Sequence, residues 1–292
     1  MAVLMMWVAG PPYCGERAVL ATMHGKEQVI APLALRFLGL HVELAQGLDT
    51  DSFGTFSREI DRAGSQIEAA RAKIAAAFAR SPEAHIGLAS EGSFGPHPYL
   101  PFLPICREIV VLIDRSSGLE LVGYHAGSET NFSHAVVDDV DAGRRFAERI
   151  GFPGHGIIVM ACEEGKPVPE LALIKNATTW ETLDQAIHSV LDGRPTAFVE
   201  ADMRAHRNPK RMRAIKRAMI DLVRRALSKC PDCDRPGFSM TDRLVGLPCS
   251  WCRQPTLLTM AEIWMCVGCG YRQERPVAAA AADPGNCDGC NP

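Results

Sequence analysis

The chain predicts an α/β layered domain with a mixed sheet, followed by a small zinc-ribbon-like module. Three observations predict it. Apolar strand-like runs alternate with segments of helical periodicity from residue 15 to 229. Two of those runs are separated only by the turn-forming "RSSG", so a hairpin makes the sheet mixed and not purely parallel. Finally, eight of the 11 cysteines fall into four C-x-x-C pairs beyond residue 229.

The elements follow in order. "RAVLAT" (17–22) reads as a buried strand. "GKEQVIAPLALRFLG" (25–39) reads as a helix with Val29, Ile30, Leu33 and Phe37 inward, its Pro32 requiring a start close before it. "HVELA" (41–45) is a second strand. A helix over 62–80 carries the stripe Ala63, Ile67, Ala70, Ile74 and Phe78. "HIGLAS" (85–90) is a short strand that ends at Glu91 in a glycine-rich loop, and "EIVVLID" (108–114) with "ELVGYHA" (120–126) makes the hairpin. Helix 139–151 stops at a glycine. "GIIVMAC" (156–162) is a strand, helix 178–193 starts at a capping box of Thr178 and Glu181, and "TAFVEA" (196–201) is the last strand.

From Pro209, the residues Met212, Ile215, Met219, Leu222, Val223 and Ala226 recur at helical spacing. Eight Lys/Arg and one Asp lie from Asn208 to Lys229 inclusive, so this amphipathic helix has a basic outer face that ends the α/β domain. Such a face is ordinarily just solvated; phosphate, nucleic acid or a docking partner are the alternatives.

Residues 230–292 form the second domain, with "CPDC", "CSWC", "CVGC" and "CDGC" supplying Cys230, Cys233, Cys249, Cys252, Cys266, Cys269, Cys287 and Cys290. Two pairs provide the four thiolates of a tetrahedral site, so four pairs predict two structural Zn²⁺ ions. They also hold together a segment poor in apolar residues. Consecutive pairing joins the first two pairs and the last two; interleaved pairing would brace the module crosswise. Sequence order favours consecutive pairing. The module carries five Arg, no Lys and seven Asp/Glu, a balance unlike that of a DNA-binding ribbon.

Formal charge is −3, which points to neither nucleic acid nor anionic membrane. No apolar run of about 20 residues predicts a membrane span, and the apolar first residues lack a basic leader. A cytoplasmic location is expected.

Acidic groups close several strands, where ligands of open α/β sheets sit. They are Glu91, with Asp49, Asp51 and Glu59 before the preceding helix, and then Glu200 and Asp202, followed by Arg204, His206, Asn208 and Arg211. Paired carboxylates suit Mg²⁺, and nearby cations suit a phosphate.

The run "ATMHGKEQVIAP", then "GLDTDSFGTFSREIDRA", "EAARAKIAAAF" and "IGLASEGSFG", resembles the inosine/xanthosine triphosphate pyrophosphatase superfamily over residues 18–95. The resemblance implies a phosphate loop with Thr22 and Lys26, His24 standing where that family carries asparagine. It further implies Glu59 at an acidic helix start, Lys73 as the helix lysine and Glu91 in the acidic loop, with Mg²⁺ between the carboxylates. The whole chain, with "DMRAHRNPKRM" leading into cysteine pairs, is similar to a family of uncharacterised bacterial proteins.

Two functions follow. One is Mg²⁺-dependent hydrolysis of a nucleotide or other phosphorylated small molecule, using Glu91, Glu59, Glu200, Asp202 and His206 for chemistry and Thr22, Lys26, Lys73 and Arg204 for binding. The other is a non-enzymatic zinc-ribbon protein that contacts nucleic acid or a protein partner.

Overall fold

The structure, a computed structural model, describes residues 11–54 and 64–291. The chain divides into two compact units, Met1–Val223 and Arg224–Pro292.

The first unit is built on a mixed sheet of order β2-β1-β3-β4-β5. Its strands are β1 (Arg17–Ala21), β2 (His41–Leu44), β3 (Ile86–Pro96), β4 (Pro104–Asp114) and β5 (Leu119–Gly127). β1 runs parallel to β2 and β3, whereas β3, β4 and β5 form an antiparallel meander. Helix α1 (Glu27–Leu33) links β1 to β2 and continues as a π-helical turn over Ala34–Leu38. Pro32 lies inside α1, one residue from its end, so its missing N–H falls where the backbone pattern changes.

Alternation of side chains divides this sheet into two faces. Helix α2 (Gln66–Arg80), started by a reciprocal Ser65–Glu68 capping box, covers one face. Its Ala70, Ile74 and Ala77 pack on Val19, Ala21, Ala89, Ile109 and Val111. Gly87 permits this approach, because a Cβ there would meet Ile74 and Phe78. Helix α5 (Pro209–Leu227) lies on the other face; at Gly123 a Cβ would strike the α5 backbone at Ala218 and Leu222.

A second sheet of order β6-β9-β7-β8 is antiparallel throughout. It comprises β6 (His134–Val137), β7 (Ile157–Glu163), β8 (Lys166–Ile174) and β9 (Ala197–Ala201). Helices α3 (Val140–Ile150) and α4 (Trp180–Leu191) share a core with it through Phe146, Ile150, Leu183, Ile187, Val159 and Val199. The sequence shows neither β6 nor β8. Both are edge strands, β8 carries two prolines, and half-exposed edges lack a continuous apolar signal. The capping box of α4 is formed by Thr179 and Thr182, one residue later than expected.

The largest departure is at β3. It does not stop at residue 90 but runs on to Pro96, paired with β4 through Gly92, Phe94 and Gly95. Glu91 is therefore a mid-strand residue and not part of a loop.

In the second unit, β10 (Phe238–Val245), β11 (Thr259–Cys266) and β12 (Arg272–Pro276) form an antiparallel sheet in that order. Phe238, Trp264 and Tyr271 surround Cys230, Cys233 and Cys266 in a small core. The guanidinium of Arg275 lies 4.1 Å from the Trp264 ring centroid. Among the described residues, no helix is long and apolar enough to cross a membrane.

Candidate metal centres and a buried charged cluster

Cys230, Cys233, Cys266 and Cys269 form one group, and Cys249, Cys252, Cys287 and Cys290 another, with the sulfurs of each group within 4.8 Å of one another. The pairing is thus interleaved, and the expected consecutive pairing is corrected. The hairpin explains why. β10–β11 pairing sets Phe238 opposite Cys266, carrying the third knuckle back to the first. Cys249 then bridges to Ala282, and Ser250 N–H donates to the Ala282 carbonyl at 2.9 Å, which brings the fourth pair to the second.

The donor sets fit Zn²⁺. A tetrahedral ion about 2.3 Å from each thiolate holds sulfurs about 3.8 Å apart. The observed separations are 3.7 Å (Cys230–Cys269), 3.7 Å (Cys233–Cys266), 3.9 Å (Cys249–Cys290) and 3.5 Å (Cys252–Cys287). Backbone N–H groups support the thiolates, with Asp232 to Cys230 at 3.4 Å, Trp251 to Cys249 at 3.4 Å and Gly268 to Cys266 at 3.3 Å. Three knuckles then turn through a left-handed residue, Asp234, Arg253 or Gly270, whose N–H returns to the carbonyl of the first cysteine. N–H donation centred on Cys252, opposed by burial and aided by Trp251, lowers the Cys249 thiol to about 7.

In the first unit, the polar residues at the C-terminal end of β1 are buried. Thr22, Lys26, Lys73, Ser90, Glu91, Glu108 and Arg211 are each no more than 7% exposed. Gly25, with φ +71°, turns the loop after β1 so that Lys26 goes inward, where its Nζ donates to the Ser90 carbonyl at 3.1 Å. Burial, then repulsion from Arg211, pulls the Lys26 amine down to about 7, although Glu91 and Glu108 act the other way.

The two faces of the sheet divide these charges. Glu91 shares the face of Ala89 and pairs with Lys73 of α2. Glu108 lies on the opposite face, where its Oε1 accepts from Arg211 Nε at 2.7 Å. Gly92 makes room for that pair, since a Cβ would run into Glu108 and Arg211. Arg211 also donates to the Met203 carbonyl, and its backbone N–H is capped by Asn208 Oδ1 at 3.0 Å. Asn208 Nδ2 in turn donates to Asn131 Oδ1 at 2.8 Å and to the Asp202 carbonyl at 3.1 Å. Three buried oxygens on the Glu108 face, Thr22 Oγ1, Ser90 Oγ and Glu108 Oε2, have no hydrogen-bond partner among the described residues.

At the rim, His24 Nε2 lies 3.0 Å from Asp51 Oδ1, and the His24 ring stacks on His206 with centroids 5.0 Å apart. Thus His206 reaches the Thr22–Lys26 loop, although the two lie far apart in sequence. Asp202 does not join it as a free carboxylate. β9 ends at Ala201, and Asp202, fully buried, is held by Arg204, whose Nη2 donates to it at 2.7 Å and to the Lys175 carbonyl at 3.0 Å. Glu200 remains inside β9, opposite His134 and Ile158, so the two carboxylates do not share a continuing strand face. Glu59 lies outside the described residues.

The Mg²⁺ expected between these carboxylates does not fit the described residues. Glu91 is engaged by Lys73, Glu108 by Arg211, Asp202 by Arg204 and Asp51 by His24. Among the described residues, the ligating groups that gather in threes or more are the two cysteine sets. Sequence reasoning left Glu108 out of the site and named Arg211 only among the groups that follow Asp202, without a role. The available signal was a charge at even spacing from Val110 and Leu112 in a buried strand, and another on the apolar side of a basic helix. A recess lined by Gly15, Arg17, Glu43, Ser81 and His85 opens at the other end of β1, away from all these groups.

Residues 77–292 match the family model described as Domain of unknown function (DUF6671). No curated protein matches the chain.

Proposed function

We propose, for a chain that belongs to the DUF6671 family of unknown function, that the α/β unit binds a phosphorylated small molecule, such as a nucleotide, and hydrolyses its phosphoanhydride bond. One observation carries this reading. Among the described residues, Thr22 Oγ1, Ser90 Oγ and Glu108 Oε2 are unpartnered on the sheet face where Arg211 lies, and Lys26 reaches the Ser90 carbonyl from the loop after β1. Unpaired buried polar atoms cost about 1–3 kcal/mol each, so a cluster of them suggests a ligand that supplies the missing partners. Two hydroxyls and an amine suit phosphoryl oxygens, and Glu108 Oε2 can accept from a phosphate hydroxyl or a water. Ligands of open α/β sheets bind beyond the carboxyl ends of strands, and Thr22 and Lys26 lie just past the end of β1, with Ser90 and Glu108 inside β3 and β4.

In this reading Lys26 becomes fully charged against the phosphoryl group, and Arg211 anchors the wall behind it. The zinc ions are structural. The deciding assay is phosphate and pyrophosphate release from a nucleotide panel, with Mg²⁺ as nucleotide counter-ion. Wild type is compared with Lys26→Met and Glu91→Gln, with circular dichroism and zinc content checked on each. Turnover reduced at least 100-fold in Lys26→Met at unchanged fold supports the site; no turnover in wild type, or equal turnover in all, refutes it.

The alternative, a zinc module that docks a partner, draws on Trp251 and Leu257, which are 75% and 81% exposed on the second unit. Exposed apolar side chains on an acidic module suit a protein more than nucleic acid. Its mark would be a stable complex weakened by Trp251→Ala, with no turnover.

A further inference from the structure

We infer that His24 is the proton-accepting group of this site, with Asp51 fixing its tautomer and His206 fixing the plane of its ring. The inference rests on the hydrolysis proposed above. His24 lies in the same turn as Thr22 and Lys26, and Gly25 makes the two neighbours diverge. Lys26 is buried, whereas the His24 side chain stays 16% exposed at the rim. Its Nε2–H donates to Asp51 Oδ1 at 3.0 Å, which leaves Nδ1 as the lone-pair nitrogen. The hydrogen bond from His24 is the main cause holding the Asp51 carboxyl below its ordinary range, so Asp51 is an anion and stabilises an imidazolium as it forms. On its other side, the His206 ring lies at 25° to that of His24.

The charged groups around the pair come from several elements. Lys73 of α2 and Lys175 act on Asp51, while Arg204, Arg207 and Asp202 act on His206. Burial, followed by repulsion from the neighbouring His24, lowers His206 and so favours the neutral form of the stacked ring.

The step balances without a further reactant. A water oxygen forms a bond to phosphorus and its proton passes to His24 Nδ1. The bridging P–O bond breaks, and its electron pair stays on the departing phosphate. His24 then returns the proton to solvent. A base oriented by a carboxylate, in the same turn as Thr22 and Lys26, is the kind of group that general-base catalysis uses.

The test uses the full zinc-loaded chain and the nucleotide that wild type turns over best. His24→Ala should lower kcat by roughly 10²–10⁴-fold with KM changed by less than about threefold, and added imidazole should restore part of the rate. Imidazole should not restore Lys26→Met. Asp51→Asn should lower kcat less and displace the acid limb of the pH profile. His24→Ala within about threefold of wild type overturns the inference but leaves the hydrolysis standing. So does a loss that imidazole cannot restore and that matches a loss of nucleotide binding. A wild type inert on every substrate removes the hydrolysis itself, and this inference with it, before any variant is made.

Discussion

Metal counting on paired cysteine variants tests the interleaved wiring of the second unit. Cys233 and Cys269 belong to one group of four, whereas Cys233 and Cys252 belong to different groups. Cys233→Ser with Cys269→Ser therefore damages one site twice, and one ion per chain should remain of two. Cys233→Ser with Cys252→Ser removes one thiolate from each, and neither ion should survive. The magnitude follows from the site. Structural zinc contributes about 10–16 kcal/mol through four ligands, so each thiolate accounts for about 3–4 kcal/mol, or roughly 10²–10³-fold in affinity. A chelator of intermediate strength then strips a three-thiolate site and spares an intact one. Native mass spectrometry after chelator exchange reads the count directly. Consecutive pairing gives the reverse result, no ion with the first double variant and one with the second, and that outcome would refute the wiring. Should loss of one site unfold the module, scalar couplings in the ¹¹³Cd-substituted wild type decide instead, since Cys233 and Cys266 must couple to the same ion.

Two further outcomes concern the charged cluster. Arg211→Met strands the Glu108 carboxylate, both side chains being fully buried, and should cost about 3–5 kcal/mol in urea unfolding of the first unit; Arg211→Met with Glu108→Leu should recover much of that loss. A single variant within about 1 kcal/mol of wild type, or strictly additive costs, would show that the pair is not coupled. Lys26, lowered from its ordinary 10.5 to about 7, binds fewer protons folded than unfolded between those values, so its contribution to stability rises with pH from 7 to 10.5 and is flat below 7. The wild-type minus Lys26→Met difference should therefore climb by up to about 1.4 kcal/mol per pH unit in that window, and a flat difference would mean that Lys26 stays charged when buried.

The cluster also changes what these buried carboxylates stand for. Each of Glu91, Glu108 and Asp202 is matched by a cation close by, so they act as counter-charges that hold Lys73, Arg211 and Arg204 in place. Among the described residues of the cluster, oxygens with spare capacity are instead the Thr22 and Ser90 hydroxyls and Glu108 Oε2. A site of that character selects an anion with some hydrogen-bonding protons, which is the reason for favouring phosphate here.

By itself, the sequence determined what local periodicity and spacing can carry. The helices α3, α4 and α5, the buried strands β1, β7 and β9, and the four cysteine knuckles each declare themselves within some twenty residues. Tertiary structure alone decided which knuckles share an ion, because hairpin β10–β11 sets Cys266 beside Cys230 against sequence order. It also decided that Glu91 and Glu108 look to opposite sides of one sheet. That depends on β3 running unbroken through Gly92, a residue that reads as a loop in isolation and is glycine because Glu108 and Arg211 fill the space of its side chain. Contacts between segments a hundred residues apart leave no periodic trace, so the meeting of His24 with His206, and of Glu108 with Arg211, is visible only once the chain is folded.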